Sequence, residues 1–493
     1  MKPPFETRRL NVSIGLAAVA ALAWLPGCAV GPDYHRPSAL GTNALPARFG
    51  DAAITNEWKT AEPAAQLPRG AWWQIFTDAE LNRLETLAVS NNQQIALALA
   101  NFDQARALVK VAQASLLPQV SANPSITRQR TSANASAGGN NATSRTYNLF
   151  SVSADASWEL DVFGRIRRQT ESARAQFAAS QEDLESLKLS VQAEVAIDYF
   201  TLRALDAQSD FLGQTVVAYA RALALTQTRR QSGVADGLDV AQAETQLKST
   251  RAQIPAVDLQ RAQTRHALAV LCGQTATTFA LTPVTAGPAN PPAIPLSVPS
   301  EWLESRPDIS AAERRMAAAN ANIGVAKAAF YPRILLNGSG GFLSVSASSL
   351  FTAPSQLWAV GPTLQLPLFT GGANRAQLAS ARAAYQGSVA TYRQAVLTAF
   401  QEVEDQLAAQ WLLARQLDEE TSALESARRA LAIANDRYKA GVEQYLDVIV
   451  AQATELSHEQ TVILLRGQRL ATSVALIKAL GASQNLAAPS HQN

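Results

Sequence analysis

The sequence predicts an α+β membrane protein in which one structural plan occurs twice, as an internal tandem repeat. Gly233-Val234 followed by Leu238-Asp239-Val240 recurs as Gly441-Val442 followed by Leu446-Asp447-Val448, which is 208 positions later (441 minus 233). Each copy also contains residues that alternate between apolar and polar side chains, a pattern typical of strands. Each copy then continues into a very long stretch with helical spacing of apolar residues.

The composition excludes several classes of protein. The chain has 493 residues, of which 17% are charged, and Lys+Arg 42 against Asp+Glu 40 gives a net charge of +2. The charged share is below the usual value of about 25%, and the near-neutral balance offers no electrostatic surface for nucleic acid. Because no internal run of about 18 uninterrupted apolar residues exists, only strands could cross a membrane.

The first segment, residues 1–27, reads as an export signal. It has a basic start, an apolar stretch and then Leu25-Pro26-Gly27-Cys28, which has the form of a cleavage site. This resembles a bacterial lipoprotein signal, which implies that Cys28 begins the mature chain and carries a diacylglycerol and an N-linked acyl chain. Ala29 after this cysteine implies sorting to the outer membrane. An ordinary secretory signal with an incidental cysteine is the alternative.

Residues 28–77 form a Pro-rich segment, and the first repeat occupies residues 78–280. Within it, apolar residues from Val152 to Leu160 alternate with polar ones from Ser151 to Glu159, and residues 120–126 offer a partner strand. The small, polar residues between them suit an exposed tip. A β-hairpin is therefore expected at about residues 119–160.

A helical hairpin follows in the first repeat. Apolar residues recur three or four apart along residues 164–231, among good helix formers: Leu184, Leu187, Val191, Val195, Tyr199, Leu202 and Leu205. A helix of this span would be about 100 Å long. A return helix is expected over residues 236–271, with the turn near residue 233.

A Pro-rich connector, residues 281–300, separates this repeat from the second, residues 301–482. The connector cannot sustain a helix interior, because it contains Pro283, Pro288, Pro291, Pro292, Pro295 and Pro299. The second repeat predicts a β-hairpin at about residues 333–368 and a helical hairpin with its tip near residue 441, whose return helix covers residues 444–480. Residues 483–493 form a tail.

Four strands per chain cannot close a barrel. An open sheet edge in hydrocarbon would leave backbone N–H and C=O groups unpaired, at several kcal/mol each. Trp158 and Trp358 near the strand ends favour a membrane location. Three chains that pool their strands would give twelve, and closed cyclic symmetry is the ordinary arrangement.

Several short motifs occur in a specific order along nearly the whole mature chain. They are Cys28 to Tyr34 with Arg36-Pro37, Trp73 with Phe76, Leu160 to Arg165, Ser305 to Asp308, Tyr331-Pro332, Pro367 to Phe369, and Gly371-Gly372. In this order the chain resembles the TolC/OprM-type outer-membrane efflux channels, and most of all their acylated, NodT-like lipoprotein branch.

The resemblance implies a homotrimer with a 12-stranded β-barrel in the outer membrane, continued by a long periplasmic α-helical barrel. It implies a passive exit duct for small molecules such as drugs or toxic compounds. The partners would be a periplasmic adaptor protein, an inner-membrane pump that supplies the energy, and the lipid of the outer membrane.

The same resemblance assigns roles to the two helix-hairpin turns. Gly233-Val234 and Gly441-Val442 would be the tips that dock the adaptor. Turn geometry alone also explains a glycine at such a position.

A periplasmic aperture is expected beside these tips. Three copies of Asp447 would form a carboxylate ring that selects cations, and Tyr438 matches a tyrosine that bonds to an acidic residue at the Asp239 position. An arginine that assists this latch in some relatives is replaced by Glu443, so a weaker latch is expected. Charge stabilisation at a helix N-terminus is the alternative role for both aspartates.

The residues do not suggest an enzyme, a metal site or a cofactor site. His35, His266, His458 and His491 lack the spacing of metal ligands. Gly338, Gly340 and Gly341 are not followed by the Gly-Lys-Ser/Thr of a phosphate loop. Cys272 is expected to be a buried small apolar residue.

Two other functions remain open at this point. One is a structural lipoprotein, a trimeric coiled-coil spacer between the membrane and the periplasm, which would have no need of barrel strands. The other is a conduit for protein or polysaccharide secretion.

Overall fold

The structure is a computed structural model that describes residues 29–39, 70–132, 144–281, 291–292 and 306–482. These ranges contain the helices α1 Ala79–Asn91, α2 Gln93–Ala114, α3 Arg165–Gln231, α4 Gly237–Leu271, α5 Pro307–Ala328, α6 Ala373–Lys439 and α7 Tyr445–Ala479. They also contain the strands β1 Gln119–Arg130, β2 Thr146–Leu160, β3 Arg333–Ser344 and β4 Gln356–Gln365. Short 3₁₀ helices cover Trp72–Phe76, Ala347–Ser349 and Ala353–Ser355. Cys28 lies outside the described residues.

The four strands form one antiparallel sheet in the order β1-β2-β3-β4. The register places Val120, Ala156, Gly338 and Val360 side by side across the sheet. Since successive side chains of a strand point to opposite faces, the register brings the apolar rows of all four strands to one face. The predicted alternation is therefore confirmed.

Hydrogen-bonded polar side chains occupy the other face of the sheet. Ser157 Oγ lies 3.0 Å from Asn337 Oδ1, and Asn337 Nδ2 donates to Thr363 Oγ1 at 3.1 Å. The Asn123 amide likewise donates to Asp155 Oδ2 at 2.6 Å. This face thus satisfies its polar groups across neighbouring strands.

Strand β4 is shorter than its sequence alternation predicted. It ends at Gln365, whereas alternation continues to Leu368. Pro367 has no backbone N–H and cannot donate to a strand ladder, which accounts for the earlier end. Leu368 and Phe369 lie beyond the strand and are 88% and 91% exposed.

One compact unit contains the sheet and described residues from 29–37, 102–179 and 312–391. Its N-terminal segment is held by Val30 N, which donates to Phe163 O at 3.0 Å, and by an ion pair of 2.7 Å between Asp33 and the buried Arg168. Gly31 has φ +126°, and a Cβ there would meet the backbone of Gly324 at 2.5 Å. The segment that follows Cys28 is therefore fixed beside the end of β2.

The other compact unit contains described residues from 38–101, 180–311 and 392–482. The predicted long helices are confirmed, because α3 and α6 each have 67 residues and their return helices α4 and α7 each have 35. In this unit, apolar residues of α3, α4 and α7 form a buried cluster: Leu205, Leu212, Val257 and Leu456. Within the described residues, no helix combines the length and apolar character needed to span a membrane.

Helix α1 is capped and tied to α3 by one side chain. Asp78 accepts hydrogen bonds from Glu80 N and Leu81 N at 2.9 and 3.0 Å, and from Tyr199 Oη at 2.6 Å. An N-cap of this kind satisfies two backbone donors that the helix leaves open.

Cys272 follows the last residue of α4 and is fully buried. Its sulfur lies 3.8 Å from Leu84 O, and burial raises the pKa of the thiol to about 11. The prediction of a buried cysteine is confirmed.

Candidate functional site at the two helix-hairpin turns

Both long helices end in the same hydrogen-bonded turn. Val234 N donates to Arg229 O and Gly233 N donates to Arg230 O, both at 2.9 Å. In the second hairpin, Val442 N and Gly441 N make the equivalent bonds at 3.0 Å. This pair of bonds is a Schellman motif, which satisfies carbonyl groups at the end of a helix.

Glycine is required at both turns by the backbone. Gly233 and Gly441 each have φ +75°, in the left-handed region that other residues adopt at a cost. A Cβ at either position would meet nothing within 4 Å. Conformation, rather than close packing, thus selects glycine here.

Apolar side chains project into solvent at each turn of a single chain. Val234 and Leu238 are 65% and 61% exposed, and the equivalent Val442 and Leu446 are 70% and 47% exposed. The predicted docking residues therefore lie on the accessible surface.

The return helices begin with different caps. The Asp236 side chain accepts a hydrogen bond from Leu238 N, whereas Gln444 makes no side-chain cap. Asp239 and Asp447 each lie in the first turn of their helix, where the helix dipole favours negative charge. This favourable charge accounts for both aspartates locally and is compatible with a further role in an aperture.

Tyr438 is buried and its ring contacts two side chains. The guanidinium carbon of Arg229 lies 4.4 Å from the Tyr438 ring centroid, and the Tyr445 ring centroid lies 5.0 Å from it. Within the described residues, the Tyr438 hydroxyl has no hydrogen-bond partner. The hydrogen bond to Asp239 that the resemblance implied is thus absent from the single chain.

Tyr445 packs against Tyr438 and lies near Asp239. Burial raises the pKa of Tyr445, a hydrogen bond with Thr226 opposes that rise, and the nearby Tyr438 and Asp239 add to it. Tyr438, Tyr445, Val448, Ala243 and Ala434 form one buried cluster that joins α4, α6 and α7. The tyrosines therefore support the packing beneath the turns.

Glu443 forms an ion pair within its own turn. Its carboxylate lies 3.2 Å from Arg437 Nε. This partner belongs to the same chain, so Glu443 fixes the turn rather than supplying the positive charge that an arginine would.

Sequence reasoning did not identify Arg229 as part of the site. The offset of 208 makes Arg229 equivalent to Arg437 and makes Arg230 equivalent to Tyr438. The repeat could have marked these positions, but not their contacts, because Arg229 of the first hairpin stacks on a residue of the second.

Comparisons with known proteins agree with this architecture. The sequence profile of the outer membrane efflux protein family matches residues 84–274 and 298–482. Outer membrane protein OprJ of Pseudomonas aeruginosa is 34% identical over 477 residues, which cover 95% of this chain and 96% of that protein.

Two further relatives extend the comparison. The toluene efflux pump outer membrane protein TtgF of Pseudomonas putida is 33% identical over 97% of both chains. The solved structure of the outer-membrane channel OprN is similar with a TM-score of 0.81 and 30% identity, over 92% of this chain and 99% of that one. The resemblance stated from the sequence is confirmed: the chain belongs to the outer membrane efflux protein family and is an outer-membrane channel component of an efflux system.

Proposed function

We propose that three copies of this chain form a passive exit duct through the outer membrane. The observation that carries the proposal is the pair of open edges of the four-stranded sheet. Strand β1 is exposed along its whole length, and β4 is exposed everywhere except at Gly361. On the apolar face of these edge strands, Val120, Ile126, Trp358 and Val360 are between 70% and 81% exposed.

Closure of the sheet with neighbouring chains would account for both the open edges and the exposed apolar face. It pairs the edge N–H and C=O groups, which would cost several kcal/mol each in hydrocarbon. It also leaves the apolar face toward lipid and the hydrogen-bonded polar face toward the lumen. Three chains give a twelve-stranded barrel with closed symmetry.

The helices are proposed to continue the duct as a periplasmic helical barrel. The equal lengths of α3 and α6, and of α4 and α7, support a tandem repeat. Six hairpins around a three-fold axis would then form a nearly symmetrical ring.

The cargo is proposed to be small toxic organic molecules. This follows from the relative that is named for toluene efflux. An inner-membrane pump would supply energy, and a periplasmic adaptor would dock at Gly233-Val234 and Gly441-Val442. The exposed apolar side chains at these turns fit a protein partner.

The N-terminus is proposed to be anchored by lipid on Cys28. Val30 is hydrogen-bonded beside the end of β2, and Cys28 lies two residues earlier, within about 7 Å of chain. A diacylglycerol and an acyl chain there could enter the membrane next to the sheet. Labelled palmitate should be incorporated by the wild type and lost in Cys28→Ser; labelling that persists in the variant would contradict the anchor.

The aperture is proposed to involve Asp447, Asp239 and Tyr438. A ring of three Asp447 carboxylates would favour cations. Single-channel conductance should rise in Asp447→Ala and in Tyr438→Phe. If the conductance of both variants equalled that of the wild type, there would be no aperture at this position.

Electron imaging of the detergent-purified particle tests the trimer. A hollow, three-fold cylinder is expected, whereas a solid rod would favour the spacer and a monomer would exclude pooled strands. Cysteine pairs between β1 and β4 provide a second test, because these strands are the two edges of one chain's sheet. Ser125→Cys scanned against cysteines in β4 should give trimers linked by disulfides, and Ser125→Cys with Ser151→Cys, which are directly paired in one chain, should not link chains.

A further inference from the structure

We propose that Arg128 and Arg130 form a binding site for the phosphate groups of lipids in the outer leaflet of the outer membrane. This site rests on the proposed function, because it requires the sheet to be inserted with its helices on the periplasmic side. The two arginines lie at the end of β1 farthest from the helices, and both are exposed.

The register places both arginines on the apolar face of the sheet. Arg128 and Arg130 share the strand parity of Val120 and Ile126, so all four belong to one face. They pair with Asn148 and Thr146 of β2. Along this face the residues are therefore apolar up to Ile126 and cationic beyond it.

The height of the apolar band fits a membrane. On β2 it runs from Phe150, which pairs with Ile126, to Leu160. The ten residue-to-residue steps from Phe150 to Leu160 span about 34 Å along an antiparallel strand, or about 26 Å in height at a tilt of about 40°. Outer-membrane barrels have an apolar band of about 25 Å.

Arg128 and Arg130 would then lie at the level of the lipid headgroups. They follow Ile126 by two and four residues, which places them about 5 and 10 Å above the band at the same tilt. The headgroup layer is about 5–8 Å thick on each side of the hydrocarbon, so Arg128 lies within it and Arg130 lies just beyond it, from where its long side chain can reach back to the phosphates. A planar guanidinium at this depth can bind phosphate oxygens with two hydrogen bonds.

No acidic residue of the nearby sequence can neutralise these charges. Residues 127–148 contain Arg128, Arg130 and Arg145 but no Asp or Glu, and residues 343–357, at the same end of the sheet, contain neither Asp nor Glu. Because a neighbouring β4 would meet β1 in a trimer, that neighbour would bring no carboxylate here either. Three chains would place nine arginines at this end.

The existing contacts position one arginine without neutralising it. Arg130 Nε donates to Ser144 Oγ at 2.6 Å, and Arg145 O accepts from Thr131 N at 3.0 Å. Both partners are uncharged. Neither contact brings a carboxylate to these arginines, so an anion can bind there. At the depth of the headgroups, the anion available is a lipid phosphate.

Binding of purified lipid A by the full-length trimer in detergent tests the site. Bisphosphorylated lipid A is compared with its dephosphorylated form, by titration and by native mass spectrometry. Arg128→Gln/Arg130→Gln should weaken binding of the phosphorylated lipid about 30-fold, the loss expected for two cations near an anionic surface. Arg251→Gln is the matched control, because Arg251 is an exposed arginine of α4, and it should bind as the wild type does.

Several outcomes would overturn the site. These are equal affinity for both forms of the lipid, an unchanged affinity in the double variant, or displacement by millimolar inorganic phosphate, which would indicate a site for any free anion. The affinity of the wild type should also fall steeply with salt, which tests the charge without a variant. A wild-type chain that forms no three-fold particle would overturn the proposed function and this site together. If the wild type forms the trimer and the double variant binds phosphorylated lipid A as tightly as the wild type does, this site alone would be overturned.

Discussion

Glu85 is an ionisable residue on the buried, otherwise apolar face of α1. It lies on the buried stripe of α1 with Leu81, Leu84 and Ala88, and all four side chains are 0% exposed. Neither carboxylate oxygen has a hydrogen-bond partner among the described residues. Burial raises the pKa of this carboxyl group well above its usual range, so the acid is favoured over the carboxylate.

Replacement of Glu85 by leucine should stabilise the protein and flatten its pH dependence. An unfolded chain loses this proton near pH 4.3, while the folded chain keeps it to higher pH. Stability from this group is therefore complete below the unfolded pKa and is lost as pH rises through the folded pKa. Glu85→Leu should raise stability by about 1–3 kcal/mol at neutral pH, measured as the thermal midpoint in detergent from pH 4 to pH 9.

Glu244→Gln provides the control for that prediction. Glu244 is exposed and pairs with Lys248 on α4, so its replacement should change stability by less than about 0.5 kcal/mol. If the midpoint of Glu85→Leu followed the wild-type pH profile, Glu85 would have to be satisfied in the assembled protein.

Two variants of Tyr438 can distinguish a role of this residue in packing from a role in gating. Because its hydroxyl has no partner within the described residues, Tyr438→Phe should leave the thermal midpoint unchanged or raise it, since removal of an unsatisfied buried group is not costly. Tyr438→Ala should cost about 3–5 kcal/mol through the cavity it leaves. Higher conductance of Tyr438→Phe without lower stability would assign the hydroxyl to the latch; a large loss of stability in that variant would show that the assembly supplies a partner.

The sequence predicted these turns in part. Gly233 and Gly441 were recognisable because a helix that reverses direction needs a residue at positive φ. The contact between Arg229 and Tyr438 was not, because it joins two hairpins that are far apart in sequence. The spacing of residues along the sequence predicts which of them are neighbours on the same helix or strand. Contacts between two hairpins can be identified only from the folded structure.

At the scale of elements, the close approach of two long helices depends on one glycine. A Cβ on Gly467 of α7 would lie 2.5 Å from Ala204 Cβ of α3. That distance is well below van der Waals contact, so the helix would have to move. Gly467 is buried and leaves the space that α3 occupies.

Gly467→Ala should therefore destabilise the protein by about 1–3 kcal/mol through overpacking. Gly213→Ala is the matched control in α3, because a Cβ there would meet nothing within 4 Å, and it should stabilise the helix by about 0.5–1 kcal/mol. Thermal midpoints of the two variants should shift in opposite directions. A Gly467→Ala protein as stable as the wild type would mean that the helices separate without cost.

Elements were more predictable than contacts. Helical spacing located α3 and α6 because a period of 3.6 residues is repeated over many turns. The apolar–polar alternation located the strands but not the end of β4. The alternation continues to Leu368, whereas the strand ends at Gln365, because Pro367 has no N–H to donate to the neighbouring strand. The ion pair of Asp33 with Arg168, 135 residues away, had no local signal at all.

At the scale of the whole molecule, the two faces of the sheet must differ in their tolerance of charge. Val360 and Ala359 are neighbours in β4 and so lie on opposite faces. Val360 aligns with Ala156 through Gly338, near the middle of the apolar band from Phe150 to Leu160. A charge at this position would lie near the midplane of the bilayer if the apolar face meets lipid.

Val360→Arg should therefore cost about 2–4 kcal/mol of stability in the membrane, the usual cost of a cation at that depth on a lipid-facing strand. Ala359→Arg should be tolerated, because that face would line a water-filled lumen. Membrane insertion and the heat resistance of the proposed trimer on gels measure the difference. The ion selectivity of Ala359→Arg channels, measured as the reversal potential in a salt gradient, should shift toward anions. An equal loss of stability in both variants, or no loss in either, would contradict an inserted barrel with this face outward, because that orientation places Val360 in lipid and Ala359 in water.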